Sequence, residues 1–229
     1  MVNITENISK IKQRMLQAAV RAGRDPDGIK LVAVTKTVSP AQIRQAIQAG
    51  VDTLGENRVQ EAQAKFGEIG RQVSWHLIGH LQTNKVNQAL DIFDLIHSLD
   101  SLHLAEAVNR RAEALERKMP CLLEINLGGE ESKYGVAPDE APRILRQLAG
   151  LKHLEIQGLM AIPPYTTDPE VSRPYFHQMA ELAQAGNDLS LENVKLRHLS
   201  MGMSHDFEAA IEEGATMVRI GTAIFGVRG

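Results

Sequence analysis

The chain has 229 residues, of which 43% are hydrophobic and only 4% aromatic, and its formal net charge is -3. This composition supports an aliphatic core, and it offers no basic surface of the kind that binds nucleic acid. No apolar run approaches the ~20 residues of a membrane span, and the N-terminus lacks the apolar segment of a secretory signal. A single cysteine, Cys121, excludes an intrachain disulfide, so we expect a reducing, cytoplasmic location.

Helix-like and strand-like segments alternate along the whole chain. Residues 4–22 come first and have apolar positions at helical spacing. Strands are then predicted at 29–36, 52–57, 74–79, 95–100, 121–127, 154–162, 195–202 and 216–224. The helices between them are predicted, from apolar spacing and end signals, at 39–50, 59–70, 82–91, 101–119, 138–150, 170–186 and 206–214.

Strands that alternate with helices pair in parallel. Eight strands in about 200 residues predict a single α/β domain over residues 1–229, a (β/α)8 TIM-like barrel with an extra N-terminal helix. The competing architecture is a doubly wound open sheet, which needs a glycine-rich turn after its first strand to bind a nucleotide. That turn here reads TKTVSP and contains no glycine, so the barrel is favoured.

In such barrels the functional site lies at the C-terminal ends of the strands. Two small, glycine-containing loops follow strands seven and eight, LSMGMS (199–204) and RIGTAIFG (219–226). Barrels commonly bind phosphate at these two positions, through backbone N–H groups and a helix N-terminus. A tight turn is the alternative for either loop alone, but their joint presence favours a phosphate site. The other polar candidates at strand ends are Lys36, Glu56, Asn57, His76 and Asn126.

Lys36 lies two residues after the apolar run LVAV (31–34) of the first strand. A barrel places its first strand beside its eighth, so we expect Lys36 and Arg219 to open onto the same mouth. Partial desolvation and a nearby guanidinium both disfavour the charged form of an amine, and a neutral amine attacks carbonyl carbons to form Schiff bases. A phosphate site beside a reactive lysine suggests pyridoxal 5′-phosphate (PLP). A cofactor-free Schiff-base aldolase and a structural lysine are the alternatives.

Seven ordered blocks of the sequence resemble the pyridoxal phosphate homeostasis proteins (the YggS/PROSC-type family). The resemblance covers nearly the whole chain and implies a fold-type III PLP protein, a barrel like the N-terminal domain of alanine racemase. The blocks are VAVTKT around Lys36, GENRVQE (55–61), WHLIGHLQTNK (75–85), INLGGEESKYG (125–135), GLMAIP (158–163), LSMGMSHDFEAAI (199–211) and VRIGTAIFG (218–226).

The resemblance also implies a role for each matching residue. Lys36 would form the internal aldimine with PLP, Asn57 would lie near the ring, and Arg219 would face the pyridine nitrogen. The family is implicated in intracellular PLP homeostasis and amino- and keto-acid balance, without an established turnover reaction. A monomer is implied, with apo-PLP enzymes as candidate acceptors of the cofactor. The residues that would hold the phosphate are Ser200, Gly202, Gly221 and Thr222.

Two arguments favour a PLP carrier over an enzyme. An arginine remains charged and donates to the pyridine nitrogen, which leaves that nitrogen unprotonated and the ring a weaker electron sink. Racemisation also needs a second acid–base group, which alanine racemases take from an additional domain and a dimer partner. Only seven residues follow Thr222, so we expect no such domain. A weak PLP-dependent amino-acid racemase remains the alternative.

The remaining polar candidates have simpler explanations. His76 and His80 are four residues apart but lie in a strand and a turn, so we expect a hydrogen-bonding role for His76 and no metal site. Loop 128–135, GGEESKYG, is expected to be solvated, although closure of Lys133 and Tyr134 over the cofactor is an alternative. Asp206 is predicted to cap the helix that follows it.

Overall fold

The computed structural model describes residues 2–128 and 134–226. Within these ranges eight parallel strands follow one another around a closed barrel, and β8 pairs back with β1. The predicted TIM-like (β/α)8 architecture is therefore confirmed. Glu130, Glu131 and Lys133 lie outside the described residues. The strands are β1 (Lys30–Val34), β2 (Thr53–Glu56), β3 (Ser74–Leu77), β4 (Leu95–Leu99), β5 (Met119–Ile125), β6 (Leu154–Ala161), β7 (Val194–Ser200) and β8 (Met217–Ile220).

Helices separate the strands, as predicted, and one extra helix precedes the barrel. Among the helices of the described ranges, none is long and apolar enough to cross a membrane. The helices are α1 (Ile4–Arg21), α2 (Pro40–Gln48), α3 (Val59–Ile69), α4 (Val86–Ile92), α5 (Leu102–Ala114), α6 (Ala141–Leu148), α7 (Pro169–Asp188), α8 (Phe207–Glu212) and α9 (Thr222–Phe225).

Two predicted elements end at least four residues too late. The last strand was predicted to reach residue 224, but its pairing with β1 ends at Ile220. Gly221 then turns the chain, and α9 follows because its Ile224 and Phe225 side chains are buried. The helix predicted over 101–119 ends at Ala114, because Glu116 adopts a positive φ of 50° that no α-helix tolerates.

The hydrophobic core has two layers. The outer layer fills the space between strands and helices, and α1 joins it through a buried apolar stripe that contacts α8, α9 and α2. Successive residues of a strand point to opposite faces, so Val32 and Val34 lie on one face of β1 and Ala33 on the other. The inner cluster, which includes both valines, is formed by Val32, Val34, Ile78, Leu95, Leu122, Met160 and Met217.

Gly158 marks a close approach between β6 and β7. A Cβ atom added at this position would lie 1.9 Å from the carbonyl oxygen of His198, which is backbone and cannot swing aside. The register of β6 against β7 shifts at the same place, between Ile156 and Gly158. The two strands therefore approach closely here only because residue 158 has no side chain.

We predict that Gly158→Ala lowers the free energy of unfolding by more than about 2 kcal/mol, because the added methyl group forces the two strands apart. Gly67→Ala is the matched control: Gly67 lies exposed in α3 with nothing within 4 Å of an added Cβ. There alanine should stabilise by up to about 1 kcal/mol through its helix propensity. Urea denaturation measures both variants, and equal midpoints would contradict the close approach.

Candidate functional site

Closure of the barrel brings the C-terminal ends of its first and last strands together at one mouth. In the β1–β8 register Val32 is opposite Arg219, so the C-terminal ends of these strands are adjacent. The loop after β7 joins them, because the Arg219 N–H donates to the Gly202 carbonyl at 3.0 Å. Lys36 follows β1 by two residues, and Gly221 follows β8 directly. The predicted gathering of site residues at one mouth is therefore present.

The Lys36 side chain projects from the rim of this mouth. The chain leaves β1 after Val34 and turns, so Lys36 is exposed, and no described residue forms a hydrogen bond or ion pair with its amine. The partial desolvation expected from the sequence is therefore not present. The amine is free to reach a ligand at the mouth.

The backbone on both sides of this lysine is held by a buried ionic cluster. The ammonium group of Lys65 in α3 donates to the Thr35 carbonyl at 2.5 Å, to Glu56 Oε1 at 2.8 Å and to Glu61 Oε1 at 2.7 Å. Glu61 Oε1 also accepts the Thr37 N–H at 2.5 Å. These bonds satisfy all three ammonium hydrogens. Both flanking threonines are thus attached to α3, and the turn that carries the lysine has a fixed position.

The charges of this cluster are unusual in being almost inaccessible to water. The side chains of Lys65 and Glu56 are 8% and 0% exposed. Burial raises the pKa of Glu56, and the hydrogen bonds from Lys65 and Thr35 partly oppose that shift. Thr37 has a positive φ of 59°, a conformation that is uncommon for a β-branched residue. The cluster therefore supports a locally strained turn.

A second network lies inside the barrel, below Arg219. The Arg219 guanidinium donates through Nη1 to the carbonyl and the hydroxyl oxygen of Ser200, both at 2.6 Å, and through Nη2 to the Ala161 carbonyl at 2.8 Å. Ser200 Oγ is 2.9 Å from His97 Nδ1, and His97 Nε2 is 2.9 Å from His76 Nδ1. The hydrogen-bonding role predicted for His76 is confirmed. A continuous polar chain therefore crosses the interior of the barrel.

This hydrogen-bonded network combines the positive charge of the Arg219 guanidinium with two neutral imidazole rings. Burial lowers the pKa of His76 to about 3. Burial, with His76 and Arg219 nearby, also holds the pKa of His97 well below its usual range. Burial lowers the pKa of Arg219 to about 10, against the opposing effect of the Glu124 and Asp206 carboxylates. At neutral pH the guanidinium is charged and both imidazoles are neutral.

The predicted phosphate residues occupy two kinds of position. Gly202, Gly221 and Thr222 lie in the loops after β7 and β8. Ser200 is fully buried beneath Arg219, and its hydroxyl is already bonded to Arg219 and His97.

The hydroxyl that links the two loops belongs to Ser204. Its Oγ accepts the Ala223 N–H at 3.4 Å, and sequence reasoning missed this contact. The second serine of LSMGMS was the available signal.

Two details of the loop after β7 explain its shape. Gly202 has a positive φ of 88°, and an added Cβ would lie 2.5 Å from the Cβ of Ala210, so the loop packs directly on α8. Asp206 precedes α8 as predicted, but its side chain makes no capping bond to that helix. Its Oδ1 accepts the Met203 N–H at 2.7 Å instead. The predicted capping role of Asp206 is wrong: its carboxylate turns back and closes the loop.

A cavity of about 640 Å³ opens at the mouth beside β2 and β3, and its polar lining includes Asn57, His80 and Tyr134. Asn57 Oδ1 is buried and has no hydrogen-bond partner among the described residues. Tyr134 is 56% exposed and stacks on His80, with ring centroids 3.7 Å apart. His80 Nδ1 in turn lies 2.8 Å from Asp100 Oδ2. The cavity thus has an aromatic rim, and a buried amide oxygen without a partner among the described residues belongs to one of its lining residues.

Glu124 is a further titratable group at the upper end of the barrel. It follows the inward-facing Leu122 by two residues on β5 and is partly buried. Burial and the nearby Asp100 carboxylate raise the pKa of Glu124 to about 7, while Arg219 opposes the shift. The sequence shows only a glutamate within an apolar strand, so its environment was not predictable. Near neutral pH this side chain can accept or release a proton.

Comparison with known proteins gives the family. The family model described as "Alanine racemase, N-terminal domain" matches residues 2–229. The chain is 45% identical over 229 residues to the pyridoxal phosphate homeostasis protein of Aquifex aeolicus (strain VF5), covering 99% of each chain. The chain belongs to the pyridoxal phosphate homeostasis protein family. A second member, from Pseudomonas aeruginosa, is 42% identical and matches 100% of this chain and 97% of its own.

Solved structures agree with this family membership. PipY of Synechococcus elongatus PCC7942, solved with PLP bound, has a TM-score of 0.86 and 36% identity and covers 98% of this chain and 100% of its own. Alanine racemase of Clostridium difficile 630 has a TM-score of 0.68 at 19% identity. The match covers 95% of this chain but only 56% of the racemase. This family member therefore shares its barrel fold with part of a racemase.

We predict that Lys65→Met lowers the free energy of unfolding by about 3–5 kcal/mol, because it leaves the buried Glu56 carboxylate without its cation. Adding Glu56→Gln should recover part of the loss by removing that uncompensated charge. Lys10→Met is the control, since Lys10 forms only an exposed ion pair with Glu6 and should change stability by less than about 1 kcal/mol. Chemical denaturation gives all three values. A double variant no more stable than Lys65→Met would contradict this account.

We predict that acid destabilises the protein partly through His76. An unfolded histidine binds a proton below about pH 6.5, whereas the folded one does so only near pH 3. Stability contributed by neutral His76 is therefore complete above about pH 6.5 and is lost as the pH falls, by up to about 1.4 kcal/mol per pH unit.

His76→Asn keeps an acceptor near the Nδ1 position and removes the titration. Between pH 7 and pH 5 it should lose about 2 kcal/mol less stability than the unsubstituted protein. Denaturation at several pH values measures the slopes, and groups common to both proteins cancel in the comparison. His103→Asn, at an exposed position of α5, is the control and should leave the slope unchanged. Parallel profiles for the unsubstituted protein and His76→Asn would refute the assignment.

Proposed function

We propose that this protein binds PLP as an aldimine on Lys36 and acts as an intracellular PLP carrier without a turnover reaction of its own. In this role it would contribute to PLP homeostasis and to amino- and keto-acid balance. The observation that carries the proposal is the amine of Lys36, which has no partner among the described residues, at the same mouth as the anchored guanidinium of Arg219. The family membership and the PLP-bound structure of PipY support it.

The covalent step is a reversible condensation. The amine of Lys36 would attack the aldehyde carbon of PLP to form a carbon–nitrogen double bond, and the aldehyde oxygen would leave as water with the two amine hydrogens. Because the turn at residues 35–37 is held by Lys65 and Glu61, the amine swings from a fixed base. The side chain itself has no competing partner among the described residues.

Arg219 is suited to contact the pyridine nitrogen. Its hydrogen bonds to Ser200 and Ala161 use three of the five guanidinium N–H groups, which leaves two for a ligand. A charged guanidinium donates its hydrogen bond, so the ring nitrogen accepts it and remains unprotonated. PLP supplies an electron sink for carbanion chemistry, and that sink is weaker when the ring nitrogen carries no proton. This contact therefore favours holding PLP over rapid turnover.

The phosphate and ring contacts complete the proposed site. Ser200 and backbone N–H groups of Gly202, Gly221 and Thr222 would hold the phosphate, and Ser204 supplies a further hydroxyl between the two loops. Loops of this kind after the last two strands are the usual phosphate sites of such barrels. Asn57, whose amide oxygen has no hydrogen-bond partner among the described residues, would lie near the ring.

A weak amino-acid racemase is the second candidate. Glu124 favours it, because its pKa of about 7 makes it a group that can exchange protons near the mouth. Exchange of solvent deuterium into the Cα position of amino acids separates the two functions. Catalytic exchange that is lost in Glu124→Gln would establish an enzyme, whereas no exchange in PLP-loaded protein supports the carrier.

The location and partners of the protein are also part of this proposal. We propose a cytoplasmic monomer that passes PLP to apo-PLP enzymes. Its single cysteine, Cys121, is buried and unpaired, which suits a reducing compartment.

We predict that the purified protein absorbs visible light after PLP is added, and that borohydride fixes the cofactor on Lys36 as a stable mass increase. Lys36→Ala and Lys36→Arg should both abolish the fixed adduct, because neither side chain forms an imine. Lys30→Ala is the control: Lys30 is exposed at the opposite end of the same strand and should leave the adduct intact. A colourless protein that takes up no PLP, or an adduct that persists in Lys36→Ala, would contradict the proposal.

A further inference from the structure

Two buried histidines in the barrel have no part in the binding contacts described so far. His97 is 0% exposed and His76 4% exposed, and the inner apolar cluster, with Leu95 two residues before His97 on β4, shares the barrel interior with them. Burying an imidazole among such side chains is unfavourable unless its nitrogens are hydrogen-bonded. Both His97 nitrogens are bonded, one to Ser200 and the other to His76. The polar chain is thus a specific arrangement within an otherwise hydrophobic interior.

The chemistry of the guanidinium sets the direction of the first bond in this chain. A guanidinium can only donate, so the Ser200 oxygen accepts from Arg219 Nη1. The single hydroxyl proton of Ser200 is then available to His97 Nδ1. When Ser200 donates this proton, His97 carries its own proton on Nε2 and donates it to His76 Nδ1. In the opposite tautomer His97 Nδ1 donates to the second lone pair of Ser200 Oγ, and His97 Nε2 accepts from His76. Either set of neutral tautomers satisfies every bond in the chain.

The orientation of Arg219 depends on this arrangement. Two of its three internal bonds go to main-chain carbonyls, whose positions are fixed by β6 and β7. The third goes to the Ser200 hydroxyl, which can rotate about its own side-chain bond unless another group holds it. His97 is the group that holds it. Because His97 is neutral, it does this without placing a second positive charge beside the guanidinium.

We propose that His97, supported by His76, is a positioning residue of the cofactor site that acts through Ser200 to aim the Arg219 guanidinium at the pyridine nitrogen of PLP. The proposal rests on the function proposed above. It assigns Ser200 to the support of Arg219 and gives the barrel interior a direct influence on the electronic state of the bound ring. The visible absorption band of bound PLP and its dependence on pH report that state.

The test uses the whole chain loaded with PLP. His97→Leu should weaken PLP binding by about tenfold, as expected for a lost hydrogen bond in a chain ending at a charged group, and should shift the pH dependence of the visible band. His97→Asn keeps a polar group toward Ser200 and should restore much of the affinity and the band. His103→Leu is the control, because His103 is exposed on α5 and outside this hydrogen-bonded chain, and it should leave both readouts unchanged.

A double-variant cycle tests whether His97 acts through the serine. The combined His97→Leu and Ser200→Ala protein should bind PLP no more weakly than Ser200→Ala alone, since removal of the hydroxyl already breaks the chain. Fully additive losses would overturn the proposal, as would an unchanged band and affinity in His97→Leu. The unfolding midpoint of each PLP-free variant identifies any that do not fold, and His97→Asn then supplies the comparison.

Borohydride fixation on Lys36 in the unsubstituted protein separates the two proposals. If no adduct forms there, the PLP-binding function itself fails. If it forms with the same affinity and spectrum in His97→Leu, only the positioning role fails.

Discussion

The pairing of β8 with β1 is the constraint on which the site depends. It places Arg219 and the loop that carries Gly221 beside the strand that ends before Lys36, although these residues lie near opposite ends of the chain. The internal bonds of Arg219 then reach β6 and β7, while the turn around Lys36 is attached to α3. Loss of the β1–β8 pairing alone would separate the Lys36 amine from the Arg219 guanidinium, although no helix would need to unfold.

Two buried networks hold the two halves of the site by different physical means. Lys65 and its two glutamates form an ionic cluster, in which one cation contacts both carboxylates and loss of that cation leaves the buried Glu56 stranded. Ser200, His97 and His76 form a neutral hydrogen-bonded network that ends at the charged guanidinium of Arg219. The first network fixes a backbone and leaves the neighbouring side chain free. The second fixes the side chain of Arg219, three of whose five N–H groups are bonded within the barrel.

Periodicity and turn residues were enough to predict the eight strands, their order around the barrel and the residues that meet at its mouth. Boundaries failed where a tertiary contact overrode local pattern, as in the short helix at Thr222, whose apolar residues read equally well as a strand. The contacts of Lys65 with Thr35 and Glu56, and those of His97, were not predictable, because these partners lie on other strands or at their ends. Only the pairing of Lys65 with Glu61, four residues before it in α3, follows from spacing. The exposed state of Lys36 follows from where the chain turns, which spacing does not encode.

The contrast between the fixed backbone and the free side chain of Lys36 makes this residue a short tether. An aldehyde released by hydrolysis at the mouth would remain within reach of the amine, at an effective concentration set by the length of one lysine side chain. Recapture would then compete with escape, so the lifetime of the loaded state need not equal the lifetime of the covalent bond. Transfer to an acceptor would be governed by how readily the acceptor enters the mouth.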